Sequence, residues 1–442
     1  MKIEGNQIKS AIIEIIEDLV QSQDIELDDP INLETTLVAE LDLASMDFIQ
    51  LVVAIEDHFQ QKLGFHDLLM SQGDYVDDIT VGNLVNFVEK RLNSEAANVG
   101  FSEPLKPIIT TAVEKISDTK IKQFRNTIEN RIAQLNSFLE SDYIQSDTIT
   151  TKNKKAIFVL SPPRSGSTLL RIILAGHPQL FAPPELHLLS YKTLKQRKKA
   201  LDGDINNHLL QGAIRGIIQL KDCTPQEAEK FIQDCEEKNL TTQEFYHLIQ
   251  QDLGDRMLVD KTPTYASHLD ILKRAEQDFD DPIYIHLLRH PYGMIRSYET
   301  SKLERIVPIM NEVSFTRKEV AELTWLISQE NILDFFQSIP QERKFTLKFE
   351  DLVDNPAAAM TKQCQFLGLE FYPEMLDIYQ EKQQRMTDGV YGASEMSGDL
   401  KFHLHKQIES DVAYSWKKEQ LVNDLGDKTW EVANALGYYW EG

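Results

Sequence analysis

Arg164, Ser165, Gly166, Ser167 and Thr168 stand together in the stretch LSPPRSGSTLLR, residues 160–171, directly after the apolar run at 156–159. A loop of small and hydroxylated residues that opens a helix presents unpaired backbone N–H groups and the positive end of the helix dipole. That is a setting for phosphate or sulfate. The nucleotide-kinase version of the device requires G-x-x-x-x-G-K-[ST]. Here there is one glycine, no lysine precedes Ser167, and the basic residue is Arg164. A second cation and hydroxyl occur in LLRHPYGMIRSY, where Arg289 ends an apolar run and Ser297 follows eight residues later, a spacing from which both reach one phosphate. Two further stretches carry charge beside apolar runs: VDKTPTY with Lys261, and FAPPELHLL with Glu185 and His187.

The elements that must position these residues read as strands at 156–160, 257–259, 283–288 and 345–349, with helical patterns between them. Alternation of this kind predicts an α/β domain with a parallel sheet. In such sheets ligands bind beyond the C-terminal strand ends, and three of the strands end in LSPPRSGST, VDKTPTY and LLRHPYGMIRSY, where that rule puts a site.

Charge divides the chain. Of its net −24, residues 1–95 carry −15, from twenty Asp and Glu against five Lys and Arg. This asymmetry predicts a small acidic domain joined to a larger, more balanced one, and the overall charge argues against nucleic acid as a partner. Three cysteines do not make a disulfide scaffold, and neither a signal peptide nor an apolar run of membrane-spanning length is evident, so a cytoplasmic protein without membrane embedding is expected. His268, His403 and His405 show no ligand spacing with the cysteines, and no metal is expected.

Within the acidic part, residues 8–19, 45–59 and 81–88 place apolar residues at helical spacing, separated by polar stretches. Ser45 opens the second of these in LDLASMDFIQLVVAIED, at a helix-capping position. An acidic unit of three to four helices, a long polar first loop and D-L-A-S-M-D opening the second helix resemble an acyl carrier protein. The resemblance implies 4′-phosphopantetheine on Ser45, attached by a phosphopantetheinyl transferase. Met46 stands where that family usually has Leu, and Ala44 where it usually has Asp. The expected domains are a carrier-like helical bundle at 1–93, a linker at 94–117 and a second domain at 118–442 that starts with a helix through Ile121, Phe124 and Ile128. A helix-rich insertion at 191–255 is expected to act as a lid. Its KTLKQRKK run offers Lys192, Lys195, Arg197, Lys198 and Lys199 as a basic surface for the carrier.

PRSGSTLLR, R-H-P-x-x-x-I-R-S and the later F-E-D-L-V-x-N-P together resemble the sulfotransferases that use 3′-phosphoadenosine 5′-phosphosulfate. The resemblance implies a P-loop-like α/β fold in which Arg164, Ser165, Gly166, Ser167 and Thr168 hold the 5′-phosphosulfate and Arg289 and Ser297 hold the 3′-phosphate. Lys261 then steadies the transferring group, and Lys406 contributes from a late loop at 398–407. The cytosolic members' His after a Lys-Thr pair is absent from Lys261-Thr262-Pro263-Thr264. Glu185 follows Arg164 by twenty-one residues, the spacing at which tyrosylprotein sulfotransferases place their catalytic Glu, and is the favoured base; His187 is the other candidate. A desolvated pocket is expected to raise the pKa of Glu185.

A carrier followed by such a domain resembles the carrier and sulfotransferase modules of the curacin pathway and of cyanobacterial olefin synthases. This implies sulfation of the β-hydroxyl of a carrier-bound acyl chain, downstream of a polyketide synthase. A partner thioesterase then completes alkene formation, or the sulfate ester is retained. The alternative is sulfation of a free small molecule or peptide, with the N-terminal domain a docking module.

Overall fold

The computed structural model describes residues 5–21, 30–37, 40–41, parts of 51–75, 79–92, 115–137, 151–201, 208–301, 315–390, 407–418 and 423–440. Ser45 and Lys406 lie outside these residues. The chain divides into two compact units, Met1–Thr111 and Ala112–Gly442.

In the first unit, α1 (Gly5–Gln21) buries Ile8, Ile12, Ile16 and Leu19, a stripe at helical spacing. They share a core with Leu51, Ile55 and with Leu84, Val85 and Val88 of α2 (Val81–Leu92). Two short strands, β1 (Met70–Ser71) and β2 (Asp74–Tyr75), pair antiparallel.

The second unit opens with α3 (Asp118–Ser137), whose Phe124 and Ile128 pack into a core with Trp325 and Trp430. Its sheet contains β3 (Ile157–Leu160), β4 (Leu180–Phe181), β5 (Met257–Lys261), β6 (Ile283–Leu288) and β7 (Lys344–Lys348), ordered β4-β5-β3-β6-β7 and parallel throughout. All residues of β3 and β6 are buried, as strands covered on both faces must be. Strand alternation sends Ile157 and Val159 to one face, where they meet α4 (Ser167–Ala175) and α13 (Pro356–Leu367). Phe158 and Leu160 go to the other, against α8 (Thr242–Asp252), α9 (Leu269–Asp278) and α11 (Arg317–Gln337). Between β4 and β5 the expected helix-rich insertion holds α5 (Leu194–Leu201), α6 (His208–Lys221), α7 (Pro225–Glu237) and α8, and these share that second core. Capping boxes at Thr224/Glu227, Thr241/Glu244 and Thr316/Glu319 start α7, α8 and α11.

Register aligns the C-terminal strand ends. Val159 lies opposite Lys261, Leu160 opposite His286, and Leu288 opposite Lys348. β3 is flanked by strands that come later in the chain on both sides, so the loop after it opens at the topological switch point. The remaining site-bearing elements are α10 (Pro291–Ser301), α12 (Phe349–Asp354) and α14 (Asp411–Tyr414). The observed α/β architecture agrees with the sequence reading. Two differences have simple causes: β4 has only two residues, too few to show a period, and β5 runs on through Asp260 and Lys261, whose charges hide a buried strand end. No helix among the described residues is long and apolar enough to cross a membrane.

Candidate active site

Gly166 is the N-cap of α4, with φ 83° and no side-chain cap for the first-turn amides. A Cβ at this position would lie 2.1 Å from a Phe349 ring carbon, so glycine is required both by backbone conformation and by the ring above it. Ser165 is fully buried, and among the described residues its Oγ has no hydrogen-bond partner, nor has Ser161 Oγ four residues earlier. Buried hydroxyls are normally paired. An orphan at the mouth of uncapped helix amides fits an anionic ligand that would complete both. Gly166→Ala is accordingly expected to destabilise this unit by about 2–4 kcal/mol, combining positive-φ strain with overpacking against Phe349. Thermal and denaturant unfolding check it, and an unchanged midpoint contradicts the close approach.

Arg289 is 5% exposed, at the end of β6. Its Nη1 donates to the Arg164 carbonyl at 2.7 Å, its Nη2 to the Val412 carbonyl of α14 at 3.2 Å, and its guanidinium stacks 4.7 Å above the Phe349 ring. Arg164 Nε donates to Ser297 Oγ of α10 at 3.2 Å. The two stretches singled out for anion chemistry are therefore in direct contact. One ring, Phe349, closes over Gly166 and supports Arg289. Glu350, its neighbour, accepts from the His290 amide at 2.9 Å and from Tyr438 Oη at 2.7 Å, pinning the turn that carries Arg289.

Glu185 comes to the other side of the strand ends, on the segment after β4. Its Oε1 is 2.6 Å from Lys261 Nζ, and its Oε2 is 3.3 Å from His187 Nε2. Lys261 is 1% exposed, so it is no snorkelling surface lysine. Burial pushes the Glu185 carboxyl up, as expected from sequence, but the attractions of Lys261 and His187 together outweigh it and hold the group well below the usual carboxylate range. This corrects the expectation of a raised pKa: desolvation is the largest single cause, but Lys261 at 2.6 Å and His187 together exceed it. With the folded-state pKa below the ordinary 4.5, the pair contributes stability above that pH, and this contribution is lost as pH falls below it.

The stretch 156–374 matches the sulfotransferase family. Two solved structures resemble the chain: the sulfotransferase domain from the curacin biosynthetic pathway, 38% identical over 65% of this chain and 99% of that one with a TM-score of 0.60, and the sulfotransferase domain from the Synechococcus PCC 7002 olefin synthase, 32% identical over 68% and 100% with a TM-score of 0.59. The chain belongs to the sulfotransferase family of enzymes. It is also 28% identical over 168 residues to mouse (Mus musculus) carbohydrate sulfotransferase 4, covering 35% of this chain and 41% of that protein. The chain spans less than half the length of the curated relatives it matches.

In this sulfotransferase Arg197 does not join the basic run of α5 at the surface. It is 1% exposed and its Nε donates to the Leu186 carbonyl at 2.9 Å, so it braces the segment that carries Glu185. Lys198 pairs with Glu236 at 2.9 Å. The KTLKQRKK run is therefore partly structural, and the five-residue docking surface read from sequence loses Arg197. Sequence reasoning also missed Phe349 and Glu350 as supports of the 164–168 loop and Arg289, although the F-E-D-L stretch was in view.

Proposed function

We propose that this protein transfers the sulfuryl group of 3′-phosphoadenosine 5′-phosphosulfate to the β-hydroxyl of an acyl chain carried on phosphopantetheine at Ser45. The observation that carries this reading is the likeness of 65–68% of the chain to nearly the whole of two sulfotransferase domains, one from the curacin pathway and one from an olefin synthase. The acidic helical first unit supports it, because carriers are small acidic bundles. The polyketide-type synthase that loads the chain and a thioesterase that acts afterwards are the partners this reading requires.

The loop at 164–168 binds the phosphosulfate end of the donor through backbone amides and the Arg164 guanidinium, and Arg289 with Ser297 takes the 3′-phosphate. The substrate hydroxyl oxygen forms the new S–O bond as the bond from sulfur to the bridging phosphate oxygen breaks. 3′-Phosphoadenosine 5′-phosphate leaves, and the hydroxyl proton passes to the Glu185 carboxylate. Lys261 offsets charge developing on the bridging oxygen, and no metal is needed for these steps. When the donor's sulfuryl oxygens draw on Lys261, they relieve its hold on Glu185, which raises the basicity of that carboxylate once the donor is bound.

A second reading keeps the same chemistry but uses a free hydroxyl compound, and the similarity to a carbohydrate sulfotransferase favours it. Modification of Ser45 separates the two at the outset. Incubation with a phosphopantetheinyl transferase and coenzyme A is expected to add one phosphopantetheine mass to the wild type and none to Ser45→Ala. An unmodified wild type, or a modified mutant, removes the carrier from the proposal.

A further inference from the structure

Next to Lys261 on β5 stands a second ionisable residue that the reaction does not use. Asp260 is 1% exposed, and its carboxylate is met by three hydroxyls: Thr262 Oγ1 donates to Oδ1 at 2.9 Å, and Tyr265 Oη, at 3.0 Å, and Tyr246 Oη donate to Oδ2. Burial pushes the Asp260 carboxyl up, while the bonds from Tyr246, Thr262 and Tyr265 pull it down; as a carboxylate it only accepts, so each hydroxyl then directs its proton at Asp260 and its lone pairs elsewhere. Those lone pairs have specific uses. Tyr265 Oη accepts the amides of Leu188 at 2.8 Å and Leu189 at 3.3 Å, and Thr262 Oγ1 accepts that of His187 at 3.4 Å.

We propose that Asp260 is a positioning residue: through the Thr262 and Tyr265 hydroxyls it fixes the backbone of residues 187–189 and so aims the Glu185 carboxylate and the His187 ring at the transferring group. This rests on the reading of Glu185 as the base. Three features make it more than a packing network. The held amides belong to three consecutive residues, the first of them two places after Glu185. His187 has φ 51°, a conformation a non-glycine residue keeps only when its surroundings over-determine it. Carbonyls of the same segment are pinned as well, Leu186 by Arg197 and Leu189 by Arg274 Nη1. A buried carboxylate bonded by hydroxyls is a costly way to fill a core, and here it sets hydroxyl direction, which an apolar residue cannot do.

Asp260→Asn tests this with almost no change in shape. The new amide is a donor on one side, so whichever way it turns, Thr262 or Tyr265 must spend a lone pair on it and compete with the backbone amides. The experiment measures kcat with 3-hydroxyacyl-loaded holo protein and saturating donor, affinity for 3′-phosphoadenosine 5′-phosphate, and melting temperature. Asp260→Asn and Tyr265→Phe are each made in the wild type and in Glu185→Gln. The expected result is a kcat lowered about 10- to 100-fold by either change, the scale of a misplaced catalytic group. Nucleotide affinity should stay within about twofold, and the added loss in the Glu185→Gln background should be less than about threefold, because groups acting through one another are not additive. An equal loss in both backgrounds, or nucleotide binding falling in step with kcat, overturns the positioning role. Undiminished kcat in Glu185→Gln alone is a different result, and it removes the base assignment instead. Tyr265→Phe keeps the ring packing, so it decides the question should Asp260→Asn fail to fold.

Discussion

Glu185→Gln is expected to keep its affinity for 3′-phosphoadenosine 5′-phosphate while kcat falls by about 10²–10⁴, the usual cost of removing a general base. The substitution is nearly isosteric and leaves the anion loop and Arg289 untouched, so a loss confined to kcat identifies a group that acts on the proton rather than on the donor. His187→Ala should be milder, since His187 lies 3.3 Å from Glu185 and serves it as a partner. A pH profile adds a second check. Lys261 and His187 hold the Glu185 carboxyl well below its ordinary range in the free enzyme. The profile of kcat/KM, which reports free-enzyme groups, should therefore show no acid limb between about pH 5 and 8. An acid limb within that window, with the milder phenotype on Glu185→Gln, would transfer the role to His187.

Arg164→Ala and Arg289→Ala should each weaken binding of the desulfated nucleotide about tenfold to a hundredfold, because charge-assisted hydrogen bonds contribute roughly 1.5–3 kcal/mol. Arg289 should show the larger loss. Besides its charge it donates to the Arg164 carbonyl and stacks on Phe349, so its removal also loosens the loop it supports. Arg289→Lys restores the charge without the planar fork and is expected to recover only part of the affinity. Calorimetric titration measures this, and unchanged affinity in both alanine variants would take the donor site away from the ends of β3 and β6.

Strand, loop and helix were legible at 156–175 because a buried strand, a lone glycine and a helical stripe are all local patterns. The position of Arg289 at a strand end was legible for the same reason, since it follows six consecutive buried residues of β6. What could not be read was the result of distant approach. Glu185 and Lys261 are far apart in the chain, and whether burial or charge sets the carboxyl's pKa depends on a separation of 2.6 Å that no spacing encodes. Arg197 sits in a run that looks solvated throughout, yet α5 buries Leu194, Arg197 and Leu201 together, a stripe that the surrounding lysines disguise. Phe349 is one more apolar residue after a strand until its ring is found against Gly166. The three hydroxyls around Asp260 come from the residue that follows β5, the turn after it and α8, so only the fold collects them.

The reading of this protein as a sulfotransferase that works on its own carrier is tested most directly by mass. Holo protein loaded on Ser45 with a 3-hydroxyacyl group and given 3′-phosphoadenosine 5′-phosphosulfate should gain one sulfo group on the acyl arm, much faster than the same hydroxy acid is sulfated free in solution. Tethering alone supplies an effective concentration of order millimolar for a linker of suitable reach, so weak docking is sufficient. Sulfation of the free acid, or of an unrelated hydroxyl compound, at the rate of the tethered chain would contradict the carrier-bound substrate.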